Sequence, residues 1–282
     1  MSIRLICLDL DGTTLRRDGT VSPRTAAALR RAMAADVQVA IATGRFHGSG
    51  AQYARRLGLN APVISSNGGL IRTLSGQTLL HRPLPQSVVD VAPDVARATG
   101  AQVGLFTHHT LFQSDPERRR QGLWARFAKH PTLRGALELM QTLRTYRIRG
   151  IEEWRPADGL PEKVFITGEK VTEACDMLVR LVPERLTVTS SDPDNLEVTA
   201  EGVTKGAAVA WLAGHLNVAL EQVMVAGDGL NDLSMFDLDC LRVAMGNAAP
   251  AILERATYVS AHHMEDGVAQ AIERLVLKED VA

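Results

Sequence analysis

Apolar residues come in short blocks along this chain, and the blocks alternate between two kinds. Continuous runs at Ile3 to Leu10 and Val37 to Ala42 read as buried strands. Between them, Ser22 and Pro23 form an N-cap with proline at the first helical position, and Ala26-Ala27-Ala28-Leu29 continues as a helix to Met33. A helix over Ala51 to Leu57 and a strand over Val63 to Ser65 follow. This alternation is the mark of parallel βαβ units, so the chain predicts an α/β fold with a parallel sheet. Leu70-Ile71 and Thr78-Leu79-Leu80, either side of Ser75-Gly76, read as a β-hairpin that leaves the sheet.

The rhythm changes near Pro83 and Pro85. Ser87 to Thr99 is helical, Gln102 to Phe106 strand-like, and Val164–Thr167, Thr172–Leu181 and Leu186–Ser190 give strand, helix, strand up to Asp192-Pro193-Asp194. The βαβ pattern then resumes with a helix from Lys205 to His215, a strand at Val223 to Ala226 and a helix at Asp232 to Phe236. A strand at Leu241 to Met245 and a last helix from Asp266 to Leu277 complete it. The expected organisation is a core from 1–82 and 195–282 with a second domain inserted at 83–194. A length of 282 residues fits two domains of about 150 each.

Composition narrows the class. Apolar residues make up 45% and charged ones 22%, as in ordinary soluble proteins. A net charge of -1 supplies no bulk attraction for nucleic acid or an anionic membrane, so neither is expected as a partner. Cys7, Cys175 and Cys240 each sit among apolar residues, which points to a reduced, cytoplasmic setting. Asp9 and Asp11 interrupt the first apolar stretch too early for a signal peptide, and no uncharged run reaches the ~20 residues of a membrane span.

The chemistry gathers where strands break into loops. Asp9 and Asp11 follow a buried strand one residue apart, and two acids so placed repel each other unless a cation or a proton lies between them. With a hard divalent cation, one carboxylate can attack while the other carries a proton. Asp228, in Gly227-Asp228-Gly229-Leu230-Asn231-Asp232 behind the strand Val223 to Ala226, is the natural third ligand. Together with Asp9 and the Asp11 backbone carbonyl, it would leave room for water and a phosphate oxygen, as Mg²⁺ prefers. Asp232 would be an additional or outer ligand. Thr43-Gly44 offers a hydroxyl and a backbone N–H to an anionic oxygen, and Lys205 a point charge for a phosphoryl group. These are the parts of phosphoryl transfer through an aspartyl phosphate.

Five motifs carry a family resemblance. Asp9-Leu10-Asp11-Gly12-Thr13, Ala42-Thr43-Gly44-Arg45, Ser66-Asn67-Gly68-Gly69, Gly202-Val203-Thr204-Lys205-Gly206 and Gly227 to Asp232 occur in the order seen in the haloacid dehalogenase superfamily. More narrowly the chain resembles the Cof-type phosphatases, to which Ala244-Met245-Gly246-Asn247-Ala248 and Glu265-Asp266-Gly267-Val268-Ala269 are also similar. Thr14 stands where a leucine is common.

The resemblance implies a Rossmann-like parallel-sheet core with an inserted α/β cap of the large C2 type. It also implies a Mg²⁺-dependent phosphatase acting on a small phosphorylated metabolite, a sugar phosphate or a phosphorylated cofactor. Asp9 would be the nucleophile and Asp11 the acid and base. Thr43, Gly44 and Lys205 would hold the phosphate with a hydrogen bond from Asn231, whose role rests on the resemblance alone. A phosphomutase or a non-catalytic phospho-aspartate sensor are the alternatives, and Asp11 argues against the sensor because it stands ready to activate water.

Other features read as structural. His108-His109 and His262-His263 are expected at the surface, since neighbours on a strand point to opposite faces. Arg45 and the basic stretches Arg118 to Arg120 and Arg144 to Arg149 read as solvated charges, and Asn67-Gly68 as a turn.

Overall fold

A computed structural model of the chain describes residues 2–129, 140, 147–192 and 194–279. Arg144 to Tyr146 of the second basic stretch, and Pro193, lie outside the described residues.

The core is a five-stranded parallel sheet in the order β14-β13-β12-β1-β2. Its strands are β1 (Leu5–Leu8), β2 (Gln38–Ile41), β12 (Val223–Gly227), β13 (Leu241–Ala244) and β14 (Tyr258–Val259). β1 is an interior strand between β12 and β2, with Leu5 to Leu8 buried on both faces as parallel strands require. Ile6 and Leu8 join one apolar layer, and Leu5 and Cys7 the other. The first layer packs α1 (Pro23–Ala34) and the C-terminal turns from Gly267 against the sheet. Ser22 caps α1 as expected, accepting a 3.0 Å hydrogen bond from the Thr25 N–H. Leu8 pairs with Ala226, so the chain ends that follow β1 and β12 emerge side by side at one edge.

β3 (Val63–Ser65) meets β2's extension through a parallel bridge from Ala42 to Ile64, with the Thr43 N–H donating to the Ile64 carbonyl at 3.0 Å, and it pairs along its length with β4 (Leu70–Arg72). The expected hairpin is present, with β5 (Thr78–His81) antiparallel to β4, yet it does not leave β3 behind. All three strands form one antiparallel sheet. The helix α2 (His47–Leu57) begins four residues before the apolar pattern at Ala51 suggested.

The insert is built on a six-stranded sheet in the order β10-β11-β9-β6-β7-β8. Its strands are β6 (Gln102–Phe106), β7 (Thr110–Gln113), β8 (Arg147–Gly150), β9 (Lys163–Thr167), β10 (Leu186–Thr189) and β11 (Asn195–Ala200). Every pairing is antiparallel except β7 with β8. The helices α3 (Gln86–Thr99) and α5 (Val171–Leu181) cover it through Val88, Ala92, Val95 and Leu178, which pack on Val103, Val164 and Ile166. A further helix, α4 (Pro116–Lys129), lies beside β7 and β8.

Three of these strands were not legible in the sequence. β7 is brief, β8 holds one apolar residue, Ile148, inside a basic run, and β11 carries the polar residues Asn195, Glu197 and Thr199. All six residues of β11 belong to this sheet, beyond the position 194 at which the insert was expected to end.

Candidate active site

Beyond β1 the chain makes a wide turn over Leu10–Thr14, closed by the Leu15 N–H donating to the Leu10 carbonyl at 2.8 Å. Gly12 lies at φ +75°, and a Cβ there would strike the Asp228 carboxylate, so the turn needs glycine for both conformation and space. Asp9 is buried at the strand end, its backbone N–H donating to the Ala226 carbonyl at 3.0 Å. The loops that carry Asp9 and Asp228 therefore leave neighbouring strands at one edge of the sheet.

Lys205 stands at the first turn of α6 (Lys205–His215), whose N-cap Thr204 accepts from the Ala207 N–H. Its ammonium is fully buried and donates to Asp9 Oδ1 at 2.7 Å and to Asp232 Oδ1 at 2.6 Å. A cation at a helix N-terminus opposes the helix dipole, and here two carboxylates offset that cost. Burial alone would lower the Lys205 pKa, but Asp232 and Asp9 outweigh it and hold the ammonium charged.

Asp232 is itself tied down. Its Oδ2 accepts from the backbone N–H groups of Asp228 at 2.9 Å and Gly229 at 3.1 Å. Asp228 takes a 2.7 Å hydrogen bond from the Thr13 hydroxyl and a 3.1 Å one from Asn247 Nδ2, which also donates to the Gly12 carbonyl at 2.8 Å. Asn247 thus fastens the two loops to each other.

Lys205 therefore pairs with two members of a cluster of three close carboxylates. Oxygens of Asp9, Asp228 and Asp232 lie within 4.8 Å of one another. Burial is the first cause that pushes the Asp9 carboxyl well up; Lys205 pulls it down, while Asp232, Asp228 and Asp11 push further. Asp228 is pushed up to about 7 by burial and by Asp232, against the Thr13 hydrogen bond. Three carboxyls packed this closely repel one another once ionised, which a hard divalent cation would relieve, and the donor set is all oxygen. The residues present fit Mg²⁺, with Asp9, Asp228 and the Asp11 carbonyl as the sequence-level ligands and Asp232 shared with Lys205.

Asp11 has a different partner. Its carboxylate is gripped by Arg45, with Nη2 to Oδ1 at 2.5 Å and Nε to Oδ2 at 2.6 Å. The Arg45 guanidinium also lies 5.3 Å from the centre of the Tyr53 ring and donates to Ser49. Arg45 is thus not the solvated charge that its sequence context suggested. A two-pronged contact of this kind holds geometry as well as charge.

Thr43 is buried beside the same edge, its hydroxyl accepting from the Arg45 N–H at 3.1 Å. Gly44 follows, and a Cβ there would fall 2.8 Å from Asn67 Oδ1, 3.2 Å from Asn231 Nδ2 and 3.3 Å from Glu197 Oε2. Asn231 Nδ2 donates to Asn67 Oδ1 at 3.4 Å, and Asn67 Nδ2 donates to Glu197. Asn67 takes φ +55°, so it is both the turn residue read from sequence and a member of this polar layer.

Lys163, from β9 of the insert, completes the layer. It is buried, pairs with Glu197 Oε1 at 3.0 Å and donates to the Gly44 carbonyl at 2.5 Å. Burial lowers its pKa, with Glu197 pulling the other way. Lys163 and Glu197 were not found from sequence, since a lysine and a glutamate on separate strands of the insert carry no motif. Their one signal is alternation on β11, where Glu197 occupies a position buried by the pleat.

Comparison with known proteins agrees with this geometry. A family model described as haloacid dehalogenase-like hydrolase matches residues 6–272. The 5-amino-6-(5-phospho-D-ribitylamino)uracil phosphatase YcsE of Bacillus subtilis is 32% identical over 278 residues, which covers 98% of this chain and 97% of that protein. Phosphatase YwpJ of the same organism is 29% identical, covering 97% and 100%. A solved haloacid dehalogenase-like hydrolase from B. subtilis superimposes with a TM-score of 0.82 at 27% identity, covering 97% of this chain and all of that one. With its parallel core, its α/β cap and a match running nearly end to end, the chain belongs to the haloacid dehalogenase-like hydrolases, among their Cof-type phosphatases.

Proposed function

We propose that this phosphatase hydrolyses the phosphomonoester of a small metabolite through a phosphoryl group carried on Asp9, with Mg²⁺ as cofactor. The observation that carries the reading is the buried Lys205, which holds one Asp9 oxygen at 2.7 Å within a cluster of three carboxylates. Such fixation leaves the other oxygen for attack and restricts the carboxylate's motion before reaction. Mg²⁺, held by Asp9, Asp228 and the Asp11 carbonyl, would supply charge stabilisation for the phosphoryl oxygens.

The chain's own groups do the rest. Asp9 attacks phosphorus, the phosphorus–ester oxygen bond breaks, and Asp11 gives its proton to the leaving alcohol. Water then attacks the same phosphorus, Asp11 takes up its proton, and inorganic phosphate departs with Asp9 restored. The Arg45 fork has to release Asp11 for either transfer, so Arg45 acts as a positioning residue. Thr43, the Gly44 N–H, Lys205 and Asn231 hold the transferring group.

The cap supplies Lys163 and Glu197 to the far side of Gly44, which ties substrate selection to the cap's position over the core. We take the chain to divide into a core and an inserted cap that closes over it and excludes bulk water. The B. subtilis relative named for a phosphorylated ribitylamino-uracil favours a substrate with a polyol phosphate, such as a sugar phosphate or a phosphorylated cofactor. Release of inorganic phosphate from a panel of sugar phosphates, flavin and pyridoxal phosphates and nucleotides tests this. Mg²⁺-dependent release that EDTA abolishes supports the reading. An isomeric sugar phosphate as product, or no turnover with a persistent phospho-protein, overturns it.

A further inference from the structure

Away from the carboxylate cluster, three side chains from distant parts of the sequence converge where the cap joins the core. His81 ends β5 of the core, His108 sits in the turn between β6 and β7 of the cap, and Glu162 immediately precedes β9. His108 Nδ1 lies 2.6 Å and His81 Nε2 3.3 Å from the same Glu162 oxygen, Oε1. The two imidazole rings meet edge to face with centres 5.1 Å apart. Glu162 is 1% exposed at its side chain, whereas the histidines are about a third exposed at 31% and 29%.

Hydrogen bonding alone leaves this arrangement incomplete. Both histidines crowd one oxygen, while Glu162 Oε2 is buried with no hydrogen-bond partner among the described residues. A buried carboxylate oxygen without a donor is unusual in folded proteins. The ligand atoms of all three residues lie within 4.8 Å of one another, from two imidazoles and one carboxylate. Two nitrogens with one carboxylate are a donor set for Zn²⁺ and its neighbours rather than for Mg²⁺, and they leave a fourth position open toward solvent.

We infer that His81, His108 and Glu162 form a binding site for a zinc-class divalent cation that clamps the cap to the core. The surroundings give the clamp its purchase. The linker into the cap runs beside the cluster, with the Leu84 N–H donating to the Pro161 carbonyl and the Arg82 N–H to the Gly69 carbonyl, each at 2.8 Å. Glu162 packs against Gly69, where an added Cβ would lie 2.8 Å from the Glu162 Cβ, and its N–H donates to the Phe106 carbonyl at 2.8 Å. The next residue is Lys163, which reaches the Gly44 carbonyl, so a cation at Glu162 bears on the position of the phosphate loop.

The test uses the full-length protein stripped with EDTA and returned to excess Mg²⁺, which keeps the carboxylate cluster occupied. Co²⁺ is titrated as a probe of tetrahedral coordination by its visible absorption, and Zn²⁺ is used to displace it. The inference expects saturation at one equivalent, and an affinity weakened at least about tenfold by His81→Ala and by His108→Ala. Asp228→Asn is expected to leave this binding in place. Both histidines are partly exposed, so these variants keep the fold, and Glu162→Gln gives a third check at constant volume. Zn²⁺ should also slow amide exchange at Arg82, Leu84 and Glu162. No saturable signal, binding that survives both histidine substitutions, or binding lost in Asp228→Asn would each overturn the inference.

Discussion

Removing the Lys205 ammonium while keeping its volume, as in Lys205→Met, should destabilise the metal-free protein in a pH-dependent way. Lys205 is fully buried between Asp9 at 2.7 Å and Asp232 at 2.6 Å, and breaking such a buried pair by deleting one partner costs about 3 to 5 kcal/mol. Asp232 keeps two backbone donors, so the larger part falls on Asp9.

Proton uptake limits the loss. At pH 7 a carboxylate with an ordinary pKa near 4 protonates at a cost of roughly 4 kcal/mol, and at pH 5 of roughly 1.4 kcal/mol. The sign follows, because a folded-state pKa raised above the unfolded value makes stability fall as pH rises toward that pKa. The variant's deficit is therefore about 3 to 4 kcal/mol at pH 7 and about 1 to 2 kcal/mol at pH 5. Urea unfolding in EDTA, wild type against variant at both values, measures it. A deficit below about 1 kcal/mol at pH 7, or one equal at the two pH values, would refute the account of Lys205 as the counter-charge. In the Mg²⁺-loaded enzyme the same substitution should lower kcat/KM by ~10²- to 10³-fold.

Four other predictions address neighbouring groups. Because Asp228 is pushed up to about 7, metal-free stability should decline as pH rises from the ordinary carboxylate range to that value, and the Tm increase caused by Mg²⁺ should be larger at pH 8 than at pH 5. Equal increases in differential scanning calorimetry would count against a proton-for-metal exchange. Gly44→Ala would drive a Cβ into Asn67 and Asn231, and steady-state kinetics should show kcat/KM reduced by ~10²-fold with native circular dichroism. Asp11→Asn should lower kcat by ~10²- to 10⁴-fold. Arg45→Ala, which removes a partner from a carboxylate that is 46% exposed, should change stability by no more than about 1 kcal/mol in urea titration.

The parts of this molecule that sequence made legible are those fixed by local rules. A strand running into Asp9, a Ser-Pro helix start at Ser22 and a glycine loop at Gly227 each bring their own signal, and the parallel core follows from their order. The carboxylate cluster was legible for the same reason, since Asp9 and Asp228 sit immediately after strands and Asp232 lies in the same loop as Asp228. What sequence hid depends on pairing between distant segments. Arg45 has no local feature that marks it as the partner of Asp11, and Lys163 meets Gly44 only because the cap folds over the core. The histidine pair at 108 and 109 was judged by its immediate neighbours, whereas the relevant contacts, His81 and Glu162, come from residues 27 and 54 positions away from His108. β11 was assigned to the core by its position in the chain, although its register belongs to β9 and β10.

The most direct test of the central claim is whether Asp9 itself carries the phosphoryl group. Wild-type enzyme turning over its best substrate with Mg²⁺ would be quenched in acid, digested, and its peptides mapped by mass spectrometry, with Asp9→Asn treated identically. The account predicts one added phosphoryl group on the peptide holding Asp9, absent from Asp9→Asn, which also releases no phosphate. Turnover by Asp9→Asn at wild-type rate, or a phosphoryl group found on another residue, would contradict it.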